Sequence, residues 1–155
     1  MKSIQKGFSL IELLIVVAII LIIAAIAIPS LLKSRIAANE ASAVGSVRSI
    51  NTSQVTYSNT CQFYAAKLAD LNTGGPCAAG ANTIDAVLGA GLKSGYQMTS
   101  ISPGTTAAGT NTTTFDVNAD PITQGVSGQR HFFSNESLVI RYDPAVAATN
   151  ASTPL

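Results

Sequence analysis

The chain has 155 residues, a formal net charge of +1 and only 11% charged residues. Soluble domains carry about 25% charged residues, so this deficit indicates a membrane segment or an assembly interface. The length suits one domain with a modest core. The nearly even charge balance does not resemble that of a nucleic-acid-binding protein, whose basic residues cluster on one face, so the charge gives no evidence for direct nucleic-acid binding.

Residues 8–28 form an almost wholly apolar run whose one charged side chain is Glu12. As a helix, these 21 residues would be about 31 Å long, which matches the hydrocarbon core of a bilayer at about 30 Å. A secretory signal is one interpretation, because Ala25-Ile26-Ala27 has the form of a cleavage site. That signal would be unusually long and would contain a carboxylate. A plain membrane anchor is a second interpretation, in which Glu12 would have to reach towards the interface.

The residues that flank the run supply a third interpretation. Lys6-Gly7 is followed by Phe8-Ser-Leu-Ile-Glu12, a long aliphatic stretch and Pro29. This order resembles the N terminus of type IV prepilins of the bacterial type IVa kind. The resemblance implies cleavage by a prepilin peptidase after Gly7 and N-methylation of Phe8. It also implies that Glu12 meets the amine of Phe8 on a neighbouring subunit, since a carboxylate in an apolar phase is tolerable when paired.

Residues 30–58 predict an amphipathic continuation of the same helix. Pro29 breaks one backbone hydrogen bond, which favours a kink over a helix end. Many family members have a glycine in mid-run where this chain has Ile20-Leu21-Ile22, so local unwinding over residues 21–28 stays open. The apolar stripe that we expect to pack on the globular domain consists of Leu32, Ile36, Ala43, Val47, Ile50 and Tyr57. The polar positions that we expect on the other face are Lys33, Arg35, Asn39, Glu40, Ser46, Arg48 and Ser53.

The remaining chain predicts a globular domain over residues 59–143, with an αβ-loop at 59–94 and a sheet at 95–143. Strand patterns fall at 96–101, 112–117, 130–134 and 138–142. A loose C-terminal tail is expected over residues 144–155. The fold class is therefore α+β. The resemblance implies the same plan, the type IV pilin fold, in which the C-terminal half of a long N-terminal helix packs on a four-stranded antiparallel sheet. It makes residues 1–7 the leader and residues 8–29 the membrane and filament-core helix.

The chain has two cysteines, Cys61 and Cys77. An even count is compatible with one disulfide in an oxidising compartment. A C-x-x-C redox pair is absent, and metal binding would need more ligands than the single His131 supplies. We predict a disulfide between the two cysteines.

A weak calcium candidate lies at Asp116, Asn118 and Asp120, which have the opening spacing of a calcium-binding loop. Pro121 stands where such a loop needs glycine, and Ser127 stands where it needs a bidentate glutamate. A strand with outward polar residues and an Asp-Pro turn is the simpler interpretation. No cofactor and no catalytic residue are predicted.

The resemblance implies a non-enzymatic subunit that polymerises with itself into a type IV pilus for adhesion, motility or DNA uptake. The implied partners are the prepilin peptidase, an assembly platform protein and a cytoplasmic ATPase. The subunit would lie in the inner membrane with a periplasmic globular domain before assembly, and in a surface pilus afterwards. A pseudopilin of a type II secretion system, a minor pilin, and a membrane-anchored or secreted binding module are the alternatives.

Overall fold

The computed structural model describes residues 7–80, 82–101 and 113–155. Its contacts divide the chain into two compact units, one ending at Arg35 and the other comprising Ile36–Leu155. The helices are α1 (Leu10–Cys61), α2 (Leu68–Thr73), a 3₁₀ turn (Ala78–Gly80) and α3 (Ala86–Gly89). The strands are β1 (Leu92–Lys93), β2 (Tyr96–Ile101), β3 (Asp116–Pro121), β4 (His131–Asn135), β5 (Arg141–Asp143) and β6 (Thr153–Pro154).

The first unit consists of the apolar part of α1 and the residues before it. The helix begins at Leu10 and continues through Pro29 without interruption. Residues 21–28 are accordingly helical. The kink at Pro29 stays a prediction.

The second unit has the α+β arrangement that the sequence predicts, with residues of α1 packed on an antiparallel sheet. The predicted apolar stripe is fully buried at Ala43, Val47, Ile50 and Tyr57. Ile36 is half-buried, and the prediction is wrong for Leu32, which is 44% exposed. The four buried side chains share one core cluster with sheet residues such as Phe132. The heptad-like spacing of the stripe therefore places one side of α1 in the core.

The predicted polar face of this helix is wrong at three positions. Glu40, Ser46 and Ser53 are buried instead of exposed. Glu40 accepts hydrogen bonds from the chain just before β4, and the Ser53 hydroxyl donates to the carbonyl of Thr83 at 2.9 Å. Burial of polar side chains is tolerated where such partners are present.

The sheet has six strands in the order β1-β2-β3-β4-β5-β6, all antiparallel to their neighbours. The prediction of four strands missed β1 and β6, which are two residues long and too short to show a period. Strand β2 has the predicted bounds. The predicted strand at 112–117 begins outside the described residues, and the observed β3 lies further along the chain at Asp116–Pro121.

The prediction of a loose tail over residues 144–155 is wrong for the C-terminal part of this segment, which is bonded to the sheet. Thr153–Pro154 pairs with β5, and Ala148 is buried. The guanidinium of Arg141 donates to the carbonyl of Ser152 at 3.1 Å, and the N–H of Leu155 donates to the carbonyl of Ile140 at 2.9 Å. Backbone and side-chain bonds together hold this segment against the sheet.

The αβ-loop is fixed to α1 by covalent and polar contacts. Cys61 and Cys77 form the predicted disulfide, which joins positions 16 residues apart in the sequence. The buried amide of Gln54 accepts from the N–H of Ala65 at 2.9 Å and donates to the carbonyl of the same residue at 3.1 Å. The Tyr57 hydroxyl donates to the carbonyl of Gly74 at 2.9 Å. The loop is therefore a bonded part of the domain.

Candidate functional site

The residues that the sequence singled out at the N terminus lie just before α1 and in its first turn. Gly7, Phe8 and Ser9 precede the helix, and the Phe8 side chain is 79% exposed. The N–H of Ser9 donates to Glu12 Oε2 at 3.0 Å, and the N–H of Leu13 donates to the carbonyl of Ser9 at 3.3 Å. The Glu12 carboxylate thus folds back over the helix start, where the helix dipole favours negative charge.

The Glu12 carboxylate has no cationic partner within the described part of the chain. The ion pairs found there involve Asp85, Glu40 and Asp120. Glu12 is also the one charged residue between positions 8 and 32. A carboxylate in an apolar surrounding is costly unless it is paired. The arrangement therefore leaves Glu12 able to accept a cation from outside this segment.

An aliphatic surface surrounds that carboxylate. The exposed large apolar residues between Leu10 and Leu32 have 44–75% of their surface accessible. Among the described residues, α1 is the helix long and apolar enough to cross a membrane, with a mean hydropathy of 3.3 over 18 residues. Length and composition alone also fit a signal sequence or a core helix. Core helices are buried, however, whereas this window is 0% buried.

The calcium candidates do not lie in a loop. Asp116, Asn118 and Asp120 alternate along β3, so their side chains share one face at about 7 Å intervals along the strand. Calcium ligands must all lie within about 2.6 Å of one ion, which an extended strand does not permit for these three residues. Asp120 Oδ1 instead contacts His131 Nδ1 at 2.6 Å. Within the described ranges, no group of three or more His, Cys, Asp or Glu side chains is arranged for a metal.

An ion pair between a buried carboxylate and a partly exposed arginine is the polar feature that sequence reasoning missed. Glu40 on α1 accepts from the backbone N–H groups of Gln129 and Arg130 at 2.9 and 3.1 Å. The Arg130 guanidinium contacts Glu40 Oε2 through Nε and Nη2, both at 2.8 Å. Arg130 also stacks on the rings of Phe132 and Tyr142 at 5.5 and 5.4 Å. This cluster joins α1 to the sheet and is structural.

Two core tyrosines have raised pKa values. Burial raises the pKa of Tyr57 above its ordinary value, and the charge of Asp70 adds to the rise. Burial likewise raises the pKa of Tyr96, with the Glu40 charge as the second cause. The Tyr96 hydroxyl donates to the carbonyl of Arg130 at 2.8 Å. Both hydroxyls therefore stay protonated and act as hydrogen-bond donors.

Comparison with known proteins identifies the N-terminal segment. The prokaryotic N-terminal methylation motif matches residues 2–28. Three type IV major fimbrial proteins FimA of Dichelobacter nodosus are 83% identical to this chain over 29 residues. The N-terminal segment of this chain is therefore similar to that of type IV pilins.

The sequence similarity to these relatives covers a short part of the chain. It covers 19% of this chain and 18–19% of each FimA relative, so less than a fifth of the relatives' length is matched. No solved structure matches the chain. The pilin-like segment contains Phe8, Glu12 and the exposed aliphatic surface described above. The long helix and antiparallel sheet agree with the pilin fold, with six strands in place of the expected four.

Proposed function

We propose that the chain is a structural subunit of a type IV pilus. A prepilin peptidase cleaves it after Gly7, the new N terminus at Phe8 is methylated, and the subunits polymerise through α1. The observation that carries this proposal is the combination of the prokaryotic N-terminal methylation motif with a long, exposed aliphatic helix segment that holds one carboxylate. Cleavage would place the amine of Phe8 four residues before Glu12.

The aliphatic segment of α1 serves first as a membrane anchor. Its side chains contact lipid in the inner membrane, while the polar second unit lies on the periplasmic side. A platform protein and a cytoplasmic ATPase then extract the subunit. In the filament the aliphatic side chains exchange lipid for close packing with neighbouring copies. The finished fibre on the cell surface serves adhesion, motility or DNA uptake.

Glu12 selects the register of the incoming subunit. Its carboxylate already accepts one N–H at the helix start, and charge pairing with the amine of a neighbouring Phe8 would remove the cost of an unpaired charge in an apolar surrounding. A misplaced subunit would leave both charges unpaired. The pair therefore acts as a test of position during assembly.

Intact-mass and N-terminal analysis of material sheared from the cell surface tests the proposal. We expect a chain that begins at an N-methylated Phe8. A membrane form that begins at Phe8 but is missing from the sheared fraction would instead indicate a secretion pseudopilin or a minor pilin. A chain that begins at Ile28, or at Met1, would contradict the pilin proposal and favour a secreted or membrane-anchored module.

The Glu12→Gln variant separates charge from capping. Glutamine retains an oxygen that accepts the Ser9 N–H, so the helix start is preserved. We expect normal cleavage and methylation, and a loss of sheared fibres of about tenfold or more, because one charge pair contributes a few kcal/mol at an apolar interface. The Glu12→Asp variant, which retains the charge on a shorter side chain, should lose less. Wild-type fibre yield from Glu12→Gln would contradict the pairing role.

A further inference from the structure

The β3–β4 loop, residues 122–130, lies at one end of the sheet, where the second unit begins. The carbonyl of Ser127 accepts from Asn39 Nδ2 at 2.8 Å. The N–H of Gln129 donates to the carboxylate of Glu40, the next residue of α1, at 2.9 Å. These bonds hold the loop against the first residues that α1 contributes to the second unit.

The other end of the sheet contacts α1 much further along the helix. Ser134, near the end of β4, accepts from Asn51 Nδ2 at 2.8 Å. Ser100, near the end of β2, accepts from Gln54 Nε2 at 2.9 Å. Asn39 and Asn51 are 12 residues apart, which is about 18 Å along a helix. The β3–β4 loop is therefore at the end of the second unit where the chain enters from the aliphatic segment.

A short connection joins this end of the second unit to the aliphatic segment. The exposed large apolar residues of that segment end at Leu32, and Asn39 follows seven residues later. A chain advances by at most about 3.6 Å per residue, so these two positions lie within about 25 Å of each other. This bound holds for any angle between the two units. A membrane that contains the aliphatic segment is therefore close to the end of the second unit that carries the loop.

The loop exposes apolar side chains and no charge. Ile122 and Val126 are each 59% exposed, and residues 121–129 include no charged side chain. Arg130, which follows them, is paired with Glu40. The two apolar side chains can therefore enter the headgroup region of a bilayer without burying an unpaired charge.

Hydrogen bonds within the loop hold it in one shape. The N–H groups of Val126 and Ser127 donate to the carbonyl of Thr123 at 3.1 and 2.9 Å, and the N–H of Thr123 donates to the Ser127 hydroxyl at 3.0 Å. Gly125 has φ of 82°, which glycine adopts without strain. Because the loop is already ordered, a contact through it costs little further conformational entropy.

Charge distinguishes the two ends of the sheet. Asp116 and Glu136 lie at the end away from the loop, and neither forms an ion pair within the described ranges. A bilayer that contains anionic lipids repels such carboxylates. The short connection and the distribution of charge therefore favour the same end of the second unit for contact with a bilayer.

We propose that the β3–β4 loop contacts the bilayer surface while the subunit is held in the membrane. The side chains of Ile122 and Val126 enter the headgroup region to a depth of about 5 Å. This inference rests on the membrane-anchor stage of the proposed function, and the contact is lost when the subunit leaves the bilayer for the filament.

Single tryptophans test the contact, because the chain has no tryptophan of its own. Ile122→Trp and Val126→Trp are each made in the full chain, which is reconstituted into phosphatidylethanolamine–phosphatidylglycerol vesicles. A fraction of the lipids carries bromine on the acyl carbons nearest the headgroups. We expect bromine to lower the emission of both loop tryptophans about twofold, because side chains at an interfacial depth contact those carbons.

Val87→Trp on α3 is the matched control. Val87 is also 59% exposed. It follows Thr83, whose carbonyl accepts from the Ser53 hydroxyl at 2.9 Å. Ser53 lies 14 residues beyond Asn39, about 21 Å along a helix. We expect the emission of Val87→Trp to be unchanged by brominated lipid.

Ile20→Trp, in the middle of the aliphatic segment, separates the inference from the proposed function. Lipids brominated at the chain ends should quench it. If they do and the loop tryptophans are unquenched by the shallow bromines, the inference is overturned while the membrane anchor stands. If Ile20→Trp is also unquenched, the anchor stage of the proposed function fails. Loop tryptophans that are unquenched in vesicles but shielded from iodide in sheared fibres would assign the loop to a subunit contact and overturn the inference.

A photo-activatable lipid gives a second measurement on the wild-type chain, so the result does not depend on the folding of a variant. The lipid carries a diazirine on the acyl carbons nearest the headgroup, and cross-linked peptides are mapped by mass spectrometry. We expect cross-links to residues 121–129 and none to residues 134–140 at the other end of the sheet. Cross-links confined to residues 8–32 would overturn the inference.

Discussion

The guanidinium of Arg130 and the carboxylate of Glu40 meet at 2.8 Å across 90 residues of sequence. The Glu40 side chain is 8% exposed, whereas the Arg130 side chain is 38% exposed. The carboxylate also accepts two backbone N–H groups, so all its described partners come from the chain that leads into β4. This pair fastens the helix to the middle of the sheet.

Removal of one partner of this pair should lower the free energy of unfolding. Arg130→Ala leaves the buried Glu40 charge with backbone donors alone, and we expect a loss of about 3 kcal/mol in the free energy of unfolding. Partial exposure of Arg130 keeps the loss at the low end of the range for buried pairs. Urea unfolding of the full chain in detergent, followed by tyrosine fluorescence, measures it, because the chain has four tyrosines and no tryptophan.

Lys93→Ala is the matched control for that measurement. Its partner Asp85 lies 3.7 Å away, and both side chains are substantially exposed. Exposed pairs contribute at most about 1 kcal/mol, so we expect a small effect. Equal losses from Arg130→Ala and Lys93→Ala would contradict the assignment of Glu40–Arg130 as the main polar joint.

The disulfide should contribute measurably to the stability of the second unit. Cys61 ends α1, and Cys77 lies 16 residues further along the chain. Closing a loop of that length stabilises by about 3 kcal/mol in the chain-entropy treatment. The double variant Cys61→Ala with Cys77→Ala should lose about this much in urea unfolding. A reducing agent should lower the stability of the wild-type chain and leave the double variant unchanged; a reductant effect on both would contradict the prediction.

Alanine substitutions at two glycines should change the stability of the protein in opposite directions. A Cβ at Gly128 would overlap the hydroxyl and ring of Tyr96, which is fully buried and bonded to the Arg130 carbonyl. Gly128→Ala should therefore cost about 2 kcal/mol through overpacking. A Cβ at Gly45 in α1 meets nothing within 4 Å, so Gly45→Ala should stabilise by about 0.5–1 kcal/mol through helix propensity. Melting temperatures of the two variants check both signs, and destabilisation by Gly45→Ala would contradict this account.

Periodicity predicts α1 well because its signal is long. The stripe of residues 43, 47, 50 and 57 is buried, and the helix extends to Cys61, three residues beyond the predicted end at 58. The same spacing also includes positions 40 and 54. Those positions hold Glu40 and Gln54, which a hydrophobicity pattern assigns to solvent. Their burial depends on partners far along the chain, Arg130 and Ser100, that local sequence does not identify.

The sheet was harder to predict at its turns and edges. The pattern at 138–142 predicts a strand, yet Leu138 adopts positive φ and its N–H donates to the carbonyl of Asn135 at 2.8 Å. The turn shortens the strand to Arg141–Asp143. The site residues Gly7, Phe8 and Glu12 come from a motif, so sequence identifies them more readily than structure does.

Asp116 should make the chain less stable as pH rises. Burial, followed by the charge of Glu136, raises the pKa of the Asp116 carboxyl above its ordinary value of 3.8. A raised pKa means that folding disfavours the ionised form. The contribution of this group is therefore fully present below pH 3.8 and is lost as pH rises through the raised pKa. We expect Asp116→Asn to raise the melting temperature at neutral pH and to leave it unchanged at low pH.

Asp143 supplies the control of opposite sign. The N–H groups of Ala145 and Val146 donate to its carboxylate at 2.9 and 3.1 Å and lower the pKa of Asp143. Its contribution is present above pH 3.8 and is lost as pH falls through the lowered pKa. Asp143→Asn should therefore lower the melting temperature at neutral pH, where Asp116→Asn raises it. Melting curves of both variants at neutral and acidic pH test these two predictions. Shifts of the same sign at neutral pH would contradict the raised pKa of Asp116.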